Sequence, residues 1–395
     1  MSWVVEKAAL AIAIALLSAA CGVETAPSQA ATRPSHPRAD VAINPLLNIV
    51  SIRLSAKERV VAHVHAERGN AHVDCIVSIR LADGKVEQIL DSVKDTIVFW
   101  RALEVTPDGQ CIFLKQDGEL TAADVVTGKI AWHWNSEDDR QLDEVLRFSS
   151  DGRFATTTAG RSKTVKLDLP SGTANAKVMD TAGRPTAVMW DLQNGKAKTA
   201  NLDFLAEGEG AIVLPVDASR VLVLTKNQAA VDQAHKYNVD ELDLDAHKRR
   251  PLFEVYSGLS CLPMPSGKEV VVLRGKREKR PPDAPVRGEF LVWSAIERWD
   301  VAKPELIATT KFKEPFDAGQ VRLAANGKFV LFQEVGRWPR IWDVSGEKWV
   351  DVSGPDSGCV ACDISRDGTI LVAAVRETNA ANETSAKLMT VDLPH

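Results

Sequence analysis

Residues 145–169 read VLRFSSDGRFATTTAGRSKTVKLDL. Apolar residues alternate up to a polar Asp-Gly turn, resume as RFATTT, break at a glycine and resume as TVKLDL. Period-2 runs bounded by turn residues are strands joined in hairpins. Asp151 and Gly152 suit the tight turn, because a short side chain bonds its own backbone and the next residue takes a positive φ at little cost.

The unit recurs. Seven copies of its first two strands and turn are SIRLSAKERVVAHVHA (51–66), LEVTPDGQCIFLK (103–115), LRFSSDGRFATTT (146–158), IVLPVDASRVLVLT (212–225), CLPMPSGKEVVVLR (261–274), VRLAANGKFVLFQ (321–333) and CDISRDGTILVAA (362–374). Their spacing of about 40 to 65 residues overlaps the roughly 40 to 50 of radially repeated four-strand units. Third strands are expected at Leu120–Val126, Val165–Leu169, Phe290–Trp293, Pro339–Val344 and Lys387–Leu393. The dipeptides Trp190-Asp191, Trp299-Asp300 and Trp342-Asp343 recur, with Leu167-Asp168 and Ala123-Asp124 at similar places.

This pattern resembles the WD40-like and quinoprotein-like β-propellers from about residue 45 to 395, although no Gly-His dipeptide occurs. The resemblance implies an all-β fold, a single propeller of seven four-stranded blades. Residues 184–202 look like an extra hairpin; they are read as enlarging the third repeat, with an eighth blade as the alternative. The last copy ends on its third strand, so closure is expected to take residues 41–49 as the missing outer strand, pairing the two ends of the chain.

Residues 1–21 read as an export signal: Lys7 precedes the apolar run Ala8–Ala20, which is too short for an ordinary membrane span. Leu17-Ser18-Ala19-Ala20-Cys21 resembles a bacterial lipobox, which implies lipidation of Cys21; plain cleavage is the alternative. Residues 22–40, rich in Pro, Ala and Ser, form a linker that spans at most about 65 Å when extended, and 41–395 form the propeller. The expected location is the bacterial cell envelope outside the cytoplasm, held by lipid, or otherwise the periplasm or the medium. Interspersed charges summing to -5 offer no field for a polyanion, so nucleic acid is not an expected partner.

Several constellations bear on function. Ala122–Trp132, AADVVTGKIAW, resembles the tryptophan-docking repeat of quinoproteins, which implies a blade-docking role for Asp124, Thr127, Gly128 and Trp132. It occurs once, no adjacent-cysteine pair accompanies it, and no cofactor is assigned. His63 and His65 share a strand face, and with His72, Asp74 or Cys75 they offer metal-ligand types, but the spacing matches no known site; they are read as surface imidazoles and no metal is assigned. Cys359-Val360-Ala361-Cys362 has redox spacing but opens a strand, where positions three apart face opposite sides. Setting Cys21 aside, five cysteines remain, an odd number that leaves one free or paired outside the chain.

Connections between second and third strands lengthen at 67–74, 227–237, 274–288 and 376–386, so one face is plain and the other carries long loops. Arg274, Lys276, Arg277, Lys279 and Arg280 make a basic tip on that face, suited to an acidic partner or to lipid headgroups. The residue before the apolar position leading into the first turn is Arg53, Glu104, Arg147, Arg322 and Asp363 in copies one, two, three, six and seven. Around a closed ring these signs alternate, which points to a ladder of ion pairs along the inner strands. No catalytic residue is assigned. The reading is a monomeric, non-catalytic module binding a protein partner, with contact to a membrane only through an N-terminal lipid. The alternative is a propeller enzyme, quinoprotein-like or lactonase- or lyase-like, with its site in the central channel.

Overall fold

A computed structural model describes residues 37–394 except 44–47, 56–58, 69–70, 92–101, 115–119, 135–139, 143–145, 170–171, 180–183, 208, 227–235, 256–260, 280–288, 335, 356–357 and 379–383. The export signal, Cys21 and most of the linker lie outside these residues. Seven antiparallel sheets succeed one another, each with its first strand innermost. The first blade is Asn48–Ser55, Arg59–Arg68, Ala71–Arg80 and Val86–Asp91. The second is Ala102–Val105, Gln110–Leu114, Leu120–Asp124 and Ile130–Trp134. The third has Arg147–Phe148, Phe154–Leu169, Thr186–Asp191 and Lys196–Asn201 as its four principal strands.

Ala211–Pro215, Arg220–Lys226, Tyr237–Asp243 and Lys248–Val255 make the fourth blade. The fifth consists of Cys261–Pro263, Glu269–Lys279, Glu289–Asp300 and Glu305–Asp317. Gln320–Leu323, Phe329–Gln333, Arg340–Asp343 and Lys348–Val350 form the sixth. The seventh, Cys359–Ile364, Ile370–Thr378 and Thr384–Asp392, takes Pro37–Ile43 as its outermost strand.

The termini therefore pair as the incomplete last repeat requires, with Val41 opposite Leu388. The closing strand begins at Pro37, inside the stretch read as linker, and Asn48 and Ile49 belong to the first blade instead. Within the blades, the described central residues of the second strands are buried on both faces between neighbouring blades, which is why they read as near-continuous apolar runs such as VLVL at 221–224. Outer strands such as Lys248–Val255 are mostly exposed. Packing one twisted sheet on the next gives seven apolar layers, one per interface of a seven-membered ring. The layer joining last blade to first sets Val372 and Leu388 against Ile52 and Val60. Among the described residues no sheet or interface is left over for an eighth blade.

The third repeat departs from its sequence reading. Phe154–Leu169 runs on as one long strand whose distal half folds back on Gly172–Met179, Ser162 pairing with Met179. Residues 165–169 are thus half of an inserted hairpin, and Leu167-Asp168 is no blade-end dipeptide. The true third and fourth strands are Thr186–Asp191 and Lys196–Asn201, the piece read as surplus. The confusion was physical: hairpin and blade share the period-2 signal, and only burial tells them apart.

Turn chemistry explains the recurrent dipeptides. Asp124 Oδ1 accepts from Val126 N (3.0 Å) and Thr127 N (2.6 Å), and Asp343 Oδ1 accepts from Ser345 N (3.0 Å) and Gly346 N (2.9 Å). Asp191, Asp243 and Asp300 cap the same outer turn in their blades. The conserved-looking acid is a turn cap that satisfies backbone donors. At the inner turn Gly152 adopts φ +63°, and a Cβ there would lie 2.9 Å from Val105 O of the neighbouring blade.

Candidate functional site: the central channel

First strands line the channel and present one charged residue each just ahead of the inner turn. Glu104 Oε2 accepts from Arg53 Nε at 3.3 Å and from Arg322 Nη2 at 2.7 Å, while Glu104 Oε1 accepts from Val105 N at 3.0 Å. Arg322 Nη1 lies 3.4 Å from Asp363 Oδ1, and Asp363 Oδ2 accepts from Leu54 N at 2.8 Å. Two pairs of the expected ladder lie side by side, Arg322 with Asp363 and Arg53 with Glu104. The Arg322–Glu104 contact was not foreseen, since it spans the channel from sixth blade to second. It forms because long side chains from a narrow ring of strands meet near the axis. Arg147 lines the same channel from the third blade.

Arg366 was missed by sequence reasoning. It extends from the inner turn of the seventh blade, donating to Val105 O at 2.9 Å and to Asp151 O. It occupies the turn position held by Pro107 and Ser150 in the second and third copies, and a long cation among short turn residues was the available signal. Arg366 thereby ties the inner turn of the seventh blade to those of the second and third.

Electrostatics follow from this geometry. Burial works against ionisation of Glu104, but Arg322, then Arg53, the Val105 N–H and Arg366 outweigh it and hold the carboxyl below the usual glutamate range. Arg322 is likewise lowered by burial but raised further by Glu104 and Asp363, so its net shift is upward. Arg53 goes the other way: burial, then the like charge of Arg322, outweighs Glu104 and Asp363. One glutamate is shared by two guanidiniums, and Arg322 has the better share. A carboxylate held ionised is a poor general acid or base.

A cavity of about 480 Å³ opens beyond this cluster, walled by Arg53, Arg147, Arg322 and apolar groups including Phe148, Leu214 and Trp293. His63 is 6% exposed and lines the same cavity, so it is no surface imidazole. The side chains of His65, His72, Asp74 and Cys75 lie outside the described residues. Among the described residues no group of three or more His, Cys, Asp or Glu is placed to hold a metal ion.

Trp132 Nε1 donates to Leu192 O of the third blade at 3.2 Å, and a Cβ on Gly195 would meet the indole at 2.8 Å. Asp124, Thr127 and Gly128 build the outer turn that precedes the Trp132 strand, Gly128 at φ +67°. Arg274 sits within the fifth blade, its Nη2 2.9 Å from Glu297 Oε2, rather than at a hairpin tip. Lys276, Arg277 and Lys279 lie on the extended strand Glu269–Lys279 and Arg280 falls beyond it; the side chains of these four lie outside the described residues.

Cys359 and Cys362 do not face opposite sides. The ladder shifts register between Cys359 and Ala361, and both thiols are buried in the layer between sixth and seventh blades. The Cys359 thiol, then burial, raises Cys362 well above the ordinary thiol range, and burial pushes Cys261 up to about 12. Such thiols resist forming the nucleophilic thiolate. Cys111, Cys261, Cys359 and Cys362 are free.

No family model matches the sequence, and no curated protein matches it. Solved structures do. The WD40 domain of Neurospora crassa Pan2 aligns at TM-score 0.52 and 13% identity over 93% of this chain and 98% of that one. Oligogalacturonate lyase in complex with manganese aligns at TM-score 0.55 and 11% identity over 92% of this chain and 97% of its own. Likeness at such identity speaks to architecture alone: the chain is a WD40-like, seven-bladed β-propeller.

Proposed function

We propose that the protein is a non-catalytic propeller scaffold, tethered outside the cytoplasm through Cys21 or released there, that holds a protein partner on one face. The observation that carries this reading is the asymmetry of the ring. Inner turns are short, whereas second and third strands run past their blades as long hairpins at 59–80, 269–300 and 370–392, with the inserted hairpin 154–179 beside them. All second strands run the same way along the ring, so their far ends share one side. Extended elements on a rigid scaffold suit recognition. The basic run at 276–280 favours an acidic partner surface.

The test is capture of partners by crosslinking in the native envelope, repeated with the three blade hairpins cut to two-residue turns. A captured protein that disappears with the trimmed chain supports the reading. Undiminished capture by the trimmed chain, or one metal or quinone per chain in the purified protein, sinks it. The second reading, a propeller enzyme, draws on the channel cavity; against it stands Glu104, held ionised by its arginine partners.

A further inference from the structure

We infer that the central channel is a binding site for a small organic carboxylate. Donors outnumber acceptors there. Two guanidiniums, each with five N–H donors, share the single oxygen Oε2 of Glu104, whose other oxygen is taken by the backbone. Arg53 Nη1 turns back to its own strand, donating to Ile52 O at 2.7 Å. Arg322 Nη1, buried, makes no hydrogen bond and has only the ion pair to Asp363 at 3.4 Å. Arg322 and Arg53 nevertheless keep 26% and 16% of their side-chain surface exposed and both line the cavity, so an acceptor entering it meets cationic donors. The lowered pKa of Arg53 is the same imbalance in another form: burial and Arg322 weigh on it more than Glu104 helps.

The acceptor has a shape. A planar guanidinium fork matches a carboxylate in two parallel hydrogen bonds. The cavity of about 480 Å³ far exceeds one carboxylate, and Phe148, Leu214 and Trp293 in its wall suit an apolar body. Arg147 adds a further cation to the wall. Arg366 donates through its two terminal nitrogens to Val105 O and Asp151 O and is not part of the cavity wall.

The test uses the full chain and calorimetric titration with benzoate and succinate, with benzamide and inorganic phosphate as comparisons. One carboxylate should bind per chain, benzamide should not bind, and phosphate should bind at least tenfold more weakly than the better acid. Arg322→Gln should weaken that acid at least tenfold. Should this variant fail to fold by circular dichroism, Phe148→Ala, at the wall and outside the ion cluster, should weaken benzoate severalfold. Absence of saturable binding by both acids, parity of benzamide or phosphate with them, or wild-type affinity in a folded variant overturns the inference.

Discussion

Glu104 sits where two arginines from different blades meet, 2.7 Å from Arg322 and 3.3 Å from Arg53. Its side chain is 9% exposed, and its neutralisation leaves two half-buried arginines short of a charged partner. Breaking a buried pair on one side costs about 3 kcal/mol or more and a solvated one about 1 kcal/mol or less, so Glu104→Gln, beside half-buried arginines, should lower stability in urea unfolding by about 1 to 3 kcal/mol. The pH dependence follows from the sign of the shift. The folded pKa is depressed, so the unfolded chain binds the proton more tightly, and the contribution is complete above the ordinary glutamate value of about 4.3. It is lost as pH falls through the depressed folded value. Unfolding midpoints of wild type and Glu104→Gln should therefore converge on acidification, and a constant gap from pH 7 to pH 3 would refute the assignment.

At the scale of elements, blade docks on blade through apolar layers reinforced by a few directed contacts. Trp132 illustrates one: its indole lies on Gly195 of the next blade and donates to Leu192 O. Trp132→Ala should cost about 2 to 3 kcal/mol, less than a fully buried tryptophan because the ring is half-buried. Gly195→Ala, at φ +68°, should also destabilise by intruding on the ring. Because both changes strike one contact, the double variant should lose less than the sum, and strict additivity in the cycle would show that the two do not act together.

Much of this level was legible. Turn acids such as Asp124 and Asp343 recur because each blade repeats the same backbone problem, and repetition is visible in a sequence. The inserted hairpin of the third blade was not, since Thr164–Leu169 alternates like any strand and the pattern holds no record of which partner a strand takes. The channel was legible in half. Alternating Arg and acid positions predicted neighbours along the ring, but the contact from Arg322 to Glu104 depends on side-chain reach across the axis. The bulge that brings Cys359 and Cys362 into one layer likewise leaves no period to read.

Across the whole molecule, the ring closes twice: by backbone pairing of Pro37–Ile43 with Thr384–Asp392, and by packing of Ile52 and Val60 on Val372 and Leu388. The first closure covers a strand edge that would otherwise offer unpaired donors and acceptors to another chain. Deleting residues 37–43 should leave a folded ring that self-associates. Light scattering should rise with concentration well before unfolding begins, and a deletion variant that stays monomeric at high concentration would rule out that role for the strand.

The ties across the axis make the charged centre a property of the whole ring. Glu104 finds Arg322 only across 218 residues of chain, and Val105 O receives Arg366 across 261. An arc of the first five repeats alone therefore holds an acid without its stronger partner, its charge left to solvent, and the closed ring gathers residues from distant parts of the chain into one charged cluster.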